Sequence, residues 1–196
     1  QRYRLIRSMA FSLSIITIIF STFYLPNVKT RMVDYTLEQI GISEKSEQIY
    51  FFSIKHQAHF ESAYLMFKDN MIFGHGPKMF RKLCQLEKYN PDGCSTHPHN
   101  IYIQLLSETG LIGTFFILSL FSFILFIFIY NIAKFFNIKI VQNQFILTDP
   151  KVCLLASFFV TLWPFVPTGN FFANWTNCIM YLPLGFYLYE ITKKNN

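Results

Sequence analysis

The chain has 196 residues, of which 52% are hydrophobic, 19% aromatic and only 14% charged. A soluble domain carries about 25% charged residues, so the shortfall points to lipid as part of the solvent. The net charge of +6 comes largely from Lys and Arg flanking apolar runs, not from a basic face interleaved with aromatics on a soluble module, which argues against a nucleic-acid partner.

Arg2, Arg4 and Arg7 precede an apolar run, Met9 to Leu25. The run ends in FYLPNVKT without a small-residue cleavage site, so it reads as a retained transmembrane helix and not as a signal peptide. With Gln1 at its start, the chain reads as the C-terminal part of a longer protein.

A helical span takes about 20 apolar residues. Residues 5–25 and 111–130 qualify, and residues 152–167 and 175–189 are shorter candidates. The short pair contains Pro164, Pro167 and Pro183, which predicts kinks or a re-entrant break. Four spans put Arg2, Arg4 and Arg7, then Lys134, Lys139 and Lys151, then Lys193 and Lys194 on one side. By the positive-inside rule that side is the cytoplasm. The expected organisation is an all-α polytopic helical bundle. It has a transmembrane helix (1–25), an outward-facing loop with a surface helix and the candidate chemistry (26–110), and C-terminal transmembrane helices (111–196).

Within the loop, residues 49–69 (IYFFSIKHQAHFESAYLMFKD) repeat apolar positions at 52, 56, 60, 63, 64 and 67. That is helical spacing, and its aromatics suit a helix at the membrane surface. FGHGPKMF, a Gly-x-Gly turn, stops it, and residues 84–94 read as a polar loop. Ser95 or Thr96 caps a further helix with Pro98 in its first turn. That helix runs through Gln104 and Glu108 straight into the second span.

CSTHPHNIYIQLLSETGLIG, residues 94–113, holds the densest cluster of titratable and amide groups. His97, His99 and Asn100 would sit at a helix N-terminus, where unpaired amides and the helix dipole attract phosphate. Imidazole titrates near neutral pH, which makes His99 the candidate for proton transfer or phosphate contact. A capping histidine at a membrane interface is the plainer alternative. Asn100, Gln104 and Glu108, spaced four apart, form one polar stripe descending toward the bilayer. Such stripes face a protein interior or a wet cavity. Lys78, Arg81 and Lys82 follow the glycine turn. Arg81 has a fork suited to phosphate oxygens, although surface basic clusters are common. His56 and His59 are neighbours on the surface helix, where they either meet the substrate or pack.

Cys84 and Cys94 lie in the outward loop, and a disulfide there would add roughly 2–3 kcal/mol. Their spacing to His97 and His99, C-x9-C-x2-H-x-H, is not a standard zinc pattern, so disulfide ranks above metal. Cys153 and Cys178 fall in spans as packing residues. No P-loop, HExxH or acidic metal clamp is present.

FKDNMIFGHGPKMFRKLC, CSTHPHNIYIQLLSETGLIG and LWPFVPTGNFFANWTNCIMYLPLGFYL together resemble the O-antigen ligase family, from about His56 to the end. That family includes O-antigen polymerases and related protein O-glycosylation enzymes. The resemblance implies a multi-pass glycosyltransferase of the bacterial inner membrane with its active site facing the periplasm. It would move a glycan from undecaprenyl pyrophosphate to a lipid A–core acceptor in lipopolysaccharide biosynthesis, without nucleotide, metal or other cofactor. The second histidine of H-x-H-N, here His99, is the family's functional histidine. Arg81 matches its F-R after the glycine turn. Many members carry another arginine on the preceding helix, where this chain reads KHQAHFESAY, so that role passes to His56 or His59. The runner-up is an O-antigen polymerase using the same donor. A transporter or flippase subunit would need charged or broken helices at the midplane, which the second span lacks. A membrane-anchored binding protein would leave the polar stripe unexplained.

Overall fold

The computed structural model describes residues 2–42, 50, 52–135 and 148–193. Lys139 and Lys194, counted above among the charges flanking the spans, lie outside them, as do positions 49 and 51 of the expected surface helix. Among the described residues, helices are the only regular structure. The chain forms two compact units, Gln1–Gln57 and Ala58–Asn196.

The first unit opens with α1 (Arg2–Tyr24). An 18-residue stretch within Leu5–Tyr24 has a mean hydropathy of 1.7 and no buried residue, as expected of a helix that meets lipid. Ser14, Thr17 and Thr22 donate their hydroxyls to carbonyls four residues back, at Ala10, Leu13 and Ile18. The polar groups on this face are thereby satisfied without water. Pro26 then opens α2 (Pro26–Lys29), which passes through a π-helical turn (Thr30–Asp34) into α3 (Tyr35–Gln39). No element is legible here in the sequence, because PNVKTRMVDYTLEQ shows no single apolar stripe. Its one signal is proline at the first helical position.

Helix α4 (Ile54–Asp69) crosses from the first unit into the second. It buries Ser62, Ala63 and Met66, against Phe80, Cys84 and Tyr89. This face differs from the expected one: Tyr64 points outward with Lys68 over its ring, while Ser62 points in. A polar residue is tolerated inside because its hydroxyl donates to the Asn90 carbonyl at 2.7 Å. The expected polar loop is a wrapped segment. A short helix α5 (Phe80–Leu83) and two 3-10 turns (Glu87–Tyr89 and Pro91–Gly93) fold back on α4. Cys84 and Cys94 are joined by a disulfide, with their Cα atoms 5.0 Å apart.

Helix α6 (Ile101–Phe135) is the long apolar helix, and an 18-residue stretch within it has a mean hydropathy of 2.7. It does not run straight. Gly110, at φ 64° and ψ −162°, breaks it between Glu108 and Leu111. The loop after α4 inserts there. The amides of His75 and Gly76 donate to the carbonyls of Ser107 and Glu108, and the amides of Leu111 and Ile112 donate to those of Met71 and Ile72. The backbone groups freed by the break are thus paired with another segment.

Helices α7 (Asp149–Thr161) and α8 (Asn174–Thr192) pack with α6 around Phe121, Ile124, Ile127, Phe158 and Leu162. Helix α7 has 13 residues and stops before Pro164 and Pro167, whereas α8 has 19 residues and continues through Pro183. Among the described residues, two helices, α1 and α6, are long and apolar enough to cross a membrane. Cys153 and Cys178 are exposed, so they are not core packing residues; each sits on an outward face of α7 or α8.

Candidate functional site

The site forms where the segment preceding α6 meets α4, α5 and the link between α7 and α8. The helix cap is Asn100, not Ser95 or Thr96. Its side-chain oxygen accepts from the amides of Tyr102 and Ile103 at 3.0 and 3.2 Å. The expected cap fails because Pro98 and His99 stand before the helix, and His99 has φ 59°. That left-handed conformation is costly for a residue with a Cβ and is found where surrounding contacts enforce it. It turns the chain sharply just ahead of the cap. It also changes the anion argument: two amides at this helix start already have a partner, so contact with an anion falls to side chains.

Three imidazoles gather here. The His97 and His99 rings lie 4.2 Å apart between centroids, and the His99 and His59 rings 5.4 Å. His59 comes from α4, and its Nδ1–H donates to the Gly93 carbonyl at 2.7 Å. The Nε2–H of His97 donates to the Thr168 carbonyl at 3.1 Å, and its Nδ1 meets the Thr96 hydroxyl at 2.9 Å. Burial lowers the His97 pKa below the ordinary imidazole value. The Thr168 contact opposes that shift, and the positive charges of His59 and Arg81 add to it. The charge of Arg81 thus bears on His97. Arg81 sits exposed on α5, as does Lys82, and Lys78 is exposed just before it at φ 62°. His56 belongs to the first unit, where its Nδ1 is 2.6 Å from the Ser53 hydroxyl. The remaining histidine, His75, donates from Nε2 to the Met66 carbonyl and braces the glycine turn.

The polar stripe is buried and bonded within the protein. Gln104 is 1% exposed and Glu108 0%. Gln104 Nε2 donates to Glu108 Oε2 at 3.0 Å and to Asn170 Oδ1 at 2.9 Å, while its Oε1 accepts from the Phe171 amide. The Phe80 amide donates to Glu108 Oε1 at 2.8 Å. Asn100 Nδ2 donates to the Pro164 carbonyl at 2.7 Å. The stripe therefore ties α6 to the α7–α8 link on one side and to the start of α5, next to Arg81, on the other.

The α7–α8 link is the part that sequence reasoning missed. Besides accepting from His97, Thr168 donates its amide to the His99 carbonyl at 2.9 Å. The Tyr102 hydroxyl donates to the Leu162 carbonyl. Thr168 Oγ1 is buried without a partner among the described residues. The signal was present: PTGN is a turn sequence with two hydrogen-bonding side chains inside an otherwise apolar stretch. Among the described residues, no group of three or more His, Cys, Asp or Glu side chains is arranged to hold a metal ion.

A family model described as O-antigen ligase matches residues 1–118. That is 118 of the 196 residues. The chain belongs to the O-antigen ligase family. No curated protein and no solved structure matches it significantly. This O-antigen ligase family member is a membrane protein of the ligase and polymerase type of glycosyltransferase. The matched region carries His59, Arg81, His97, His99 and the Asn100–Glu108 stripe. The link that braces them, residues 162–173, lies beyond it.

Proposed function

We propose that the chain is the C-terminal part of a ligase that transfers a glycan from undecaprenyl pyrophosphate to the lipid A–core acceptor at the periplasmic face of the inner membrane. The observation that carries this reading is the cluster of His59, His97 and His99, with the charge of Arg81 bearing on His97, ahead of a long apolar helix. An amphipathic, lipid-linked pyrophosphate presents its scissile bond at such a level of the membrane. In the reaction an acceptor hydroxyl attacks the anomeric carbon, its proton passes to a base, and the carbon–oxygen bond to the diphosphate breaks. The chain offers imidazoles for the proton and cationic side chains for the diphosphate.

His99 is assigned to the reacting centre, and Arg81, with Lys78 in support, to the pyrophosphate. His97 and Asn100 hold the motif, and Gln104 and Glu108 position it from below. His56 and His59 are assigned to contact with the substrate. Helices α1, α7 and α8 and the part of α6 beyond Gly110 make up the four spans, and the reaction uses neither metal nor nucleotide.

The test is complementation with the full-length gene, intact and as His99→Ala, in a bacterium lacking its own O-antigen ligase, with lipopolysaccharide resolved on a gel. The intact gene restores a ladder on the lipid A–core and the variant does not. Restoration of chain length in a polymerase-deficient strain, with no ladder in the ligase-deficient one, would establish polymerisation instead.

A further inference from the structure

We infer that the loop tip formed by Met71, Ile72 and Phe73 inserts its side chains into lipid at the membrane–water boundary, so that the partner of this surface is the bilayer itself. This rests on the membrane character of the chain and stands apart from the glycosyl-transfer reading above.

The argument begins with three consecutive apolar side chains turned outward. Met71, Ile72 and Phe73 are 48, 55 and 70% exposed, in the sequence NMIFG that follows α4. The loop is closed at its base. The Gly74 amide donates to the Asn70 carbonyl at 3.0 Å, and Asn70 Nδ2 donates to the Gly74 carbonyl at 2.6 Å. This double closure leaves the three apolar residues as a tip. Contiguous exposed apolar groups of this kind mark a surface that meets a partner or a membrane.

The height of the tip identifies the partner. The carbonyls of Met71 and Ile72 accept from the amides of Leu111 and Ile112 at 2.8 and 3.3 Å. A Cβ on Gly110 would lie 2.3 Å from the Ile72 carbonyl oxygen. The tip is therefore level with the first turn of α6 beyond its break. Residues 111–130 carry no charge, and at about 1.5 Å per residue they match the roughly 30 Å of a hydrocarbon core. Leu111 thus marks one edge of that core, and the tip lies at the same edge. Leu111, Ile112, Phe115 and Phe116 are themselves exposed, so the tip continues the apolar surface of the span. Its two carbonyls already have donors, so lipid does not leave them unpaired.

The charges on either side of the tip agree with this placement. Past the tip the chain returns to the polar side of the break, where the Gly76 amide donates to the Glu108 carbonyl. Lys68 precedes the tip, Lys78 and Lys82 follow it, and all three are exposed. No acidic residue stands between Asp69 and Glu87, and Asp69 is itself paired with Lys88 at 2.6 Å. An apolar tip flanked by cations suits hydrocarbon below and anionic headgroups above. Because the tip is bonded to the break in α6, its insertion sets the height at which the glycine turn and α5 ride on the membrane surface.

The experiment uses the full-length protein in vesicles of phosphatidylethanolamine and phosphatidylglycerol. A nitroxide label is placed on Phe73→Cys and, separately, on Ile72→Cys, with the free cysteines replaced by Ser and the Cys84–Cys94 disulfide kept. A label on Asp92→Cys, at an exposed position of the wrapped segment, is the water reference. Power saturation then compares relaxation by oxygen, which concentrates in hydrocarbon, with relaxation by a water-soluble nickel chelate. The expected result is that oxygen outweighs nickel at both tip positions and that the order reverses at Asp92. A lipid-soluble diazirine applied to the unsubstituted protein in the same vesicles gives a second reading that needs no variant. Mass spectrometry should find its adducts on Met71, Ile72 or Phe73. Tip labels as open to nickel as the Asp92 label overturn the inference, because the tip then faces water. Tip labels closed to both reagents, or a tip without diazirine adducts, overturn it as well, because protein then covers the tip. Neither result bears on the transfer reading, which the complementation test decides separately.

Discussion

Gly74 and Gly110 are in direct backbone contact. A methyl group on Gly74 would lie 2.6 Å from the Gly110 amide nitrogen, and one on Gly110 would lie 2.7 Å from that of Gly74. Both residues also have positive φ, at 66° and 64°. This contact locks the glycine turn into the break in α6 and fixes the height of Arg81 relative to the histidines. Gly74→Ala and Gly110→Ala each combine left-handed strain of about 1–2 kcal/mol with a clash against backbone that cannot move aside. Both variants should lower the melting temperature in detergent sharply or fail to accumulate. Gly185→Ala in α8 is the control, since a Cβ there meets nothing within 4 Å. It should match or slightly exceed the intact protein in stability.

Glu108 receives two donors, the Phe80 amide and Gln104 Nε2. Glutamine at 108 keeps the volume but leaves one acceptor oxygen for both and turns an NH2 group toward a donor. A buried donor left unsatisfied costs about 1–3 kcal/mol. Glu108→Gln should therefore lower stability by that amount in denaturant unfolding. Because the Phe80 amide sits next to Arg81, transfer should fall further than the loss of folded protein explains.

What the sequence makes legible here, and what it hides, follows from the range of each interaction. The spacing of Asn100, Gln104 and Glu108 alone puts three polar groups on one helix face, and all three are buried. The pairing of Cys84 with Cys94 follows from their nearness in the chain. The break at Gly110 is illegible because SETGLIG reads as continuous helix; only the amides and carbonyls of Met71–Gly76 open it. Gly113 accompanies the break for a local reason, since a Cβ there would strike the Thr109 side chain. The inward face of α4 shifts because Ser62 finds a carbonyl some thirty positions away. The Thr168 and Asn170 contacts join segments more than sixty residues apart, and no periodicity encodes them.

His97 sets a pH dependence. Its folded pKa is depressed by burial, so the fold favours the neutral ring. The stability this contributes is present above the ordinary value of 6.5 and is lost as pH falls through the lower, folded value. Protonation also ends the acceptance from the Thr96 hydroxyl. The melting temperature of the intact protein should fall between pH 7 and pH 5, and His97→Gln should show a shallower fall. Equal slopes for the two proteins would assign the dependence to other groups.

The disulfide gives a direct count. The chain has four cysteines; Cys84 and Cys94 are paired, and Cys153 and Cys178 are free. Alkylation of denatured protein should modify two thiols before reduction and four after it. Replacing both Cys84 and Cys94 with Ser should cost about 2–3 kcal/mol, and it should reduce transfer by loosening the Gly93 carbonyl that holds His59.

Asn100 performs two tasks that substitution can separate. Its Oδ1 caps α6, and its Nδ2 fastens the Pro164 carbonyl of the α7–α8 link. Asn100→Asp keeps the capping oxygen, which is favoured at a helix start, but loses the donor and points negative charge at a carbonyl. Asn100→Ala loses both functions, and the missing cap alone costs about 1 kcal/mol. The aspartate variant should keep most of the stability of α6 while releasing the link, and with it the Thr168 grip on His97 and His99. Transfer should then fall in Asn100→Asp by a larger factor than its stability implies, whereas Asn100→Ala loses both together. If Asn100→Asp transfers at the intact rate, the link serves only to stabilise the bundle and does not hold the histidines in register.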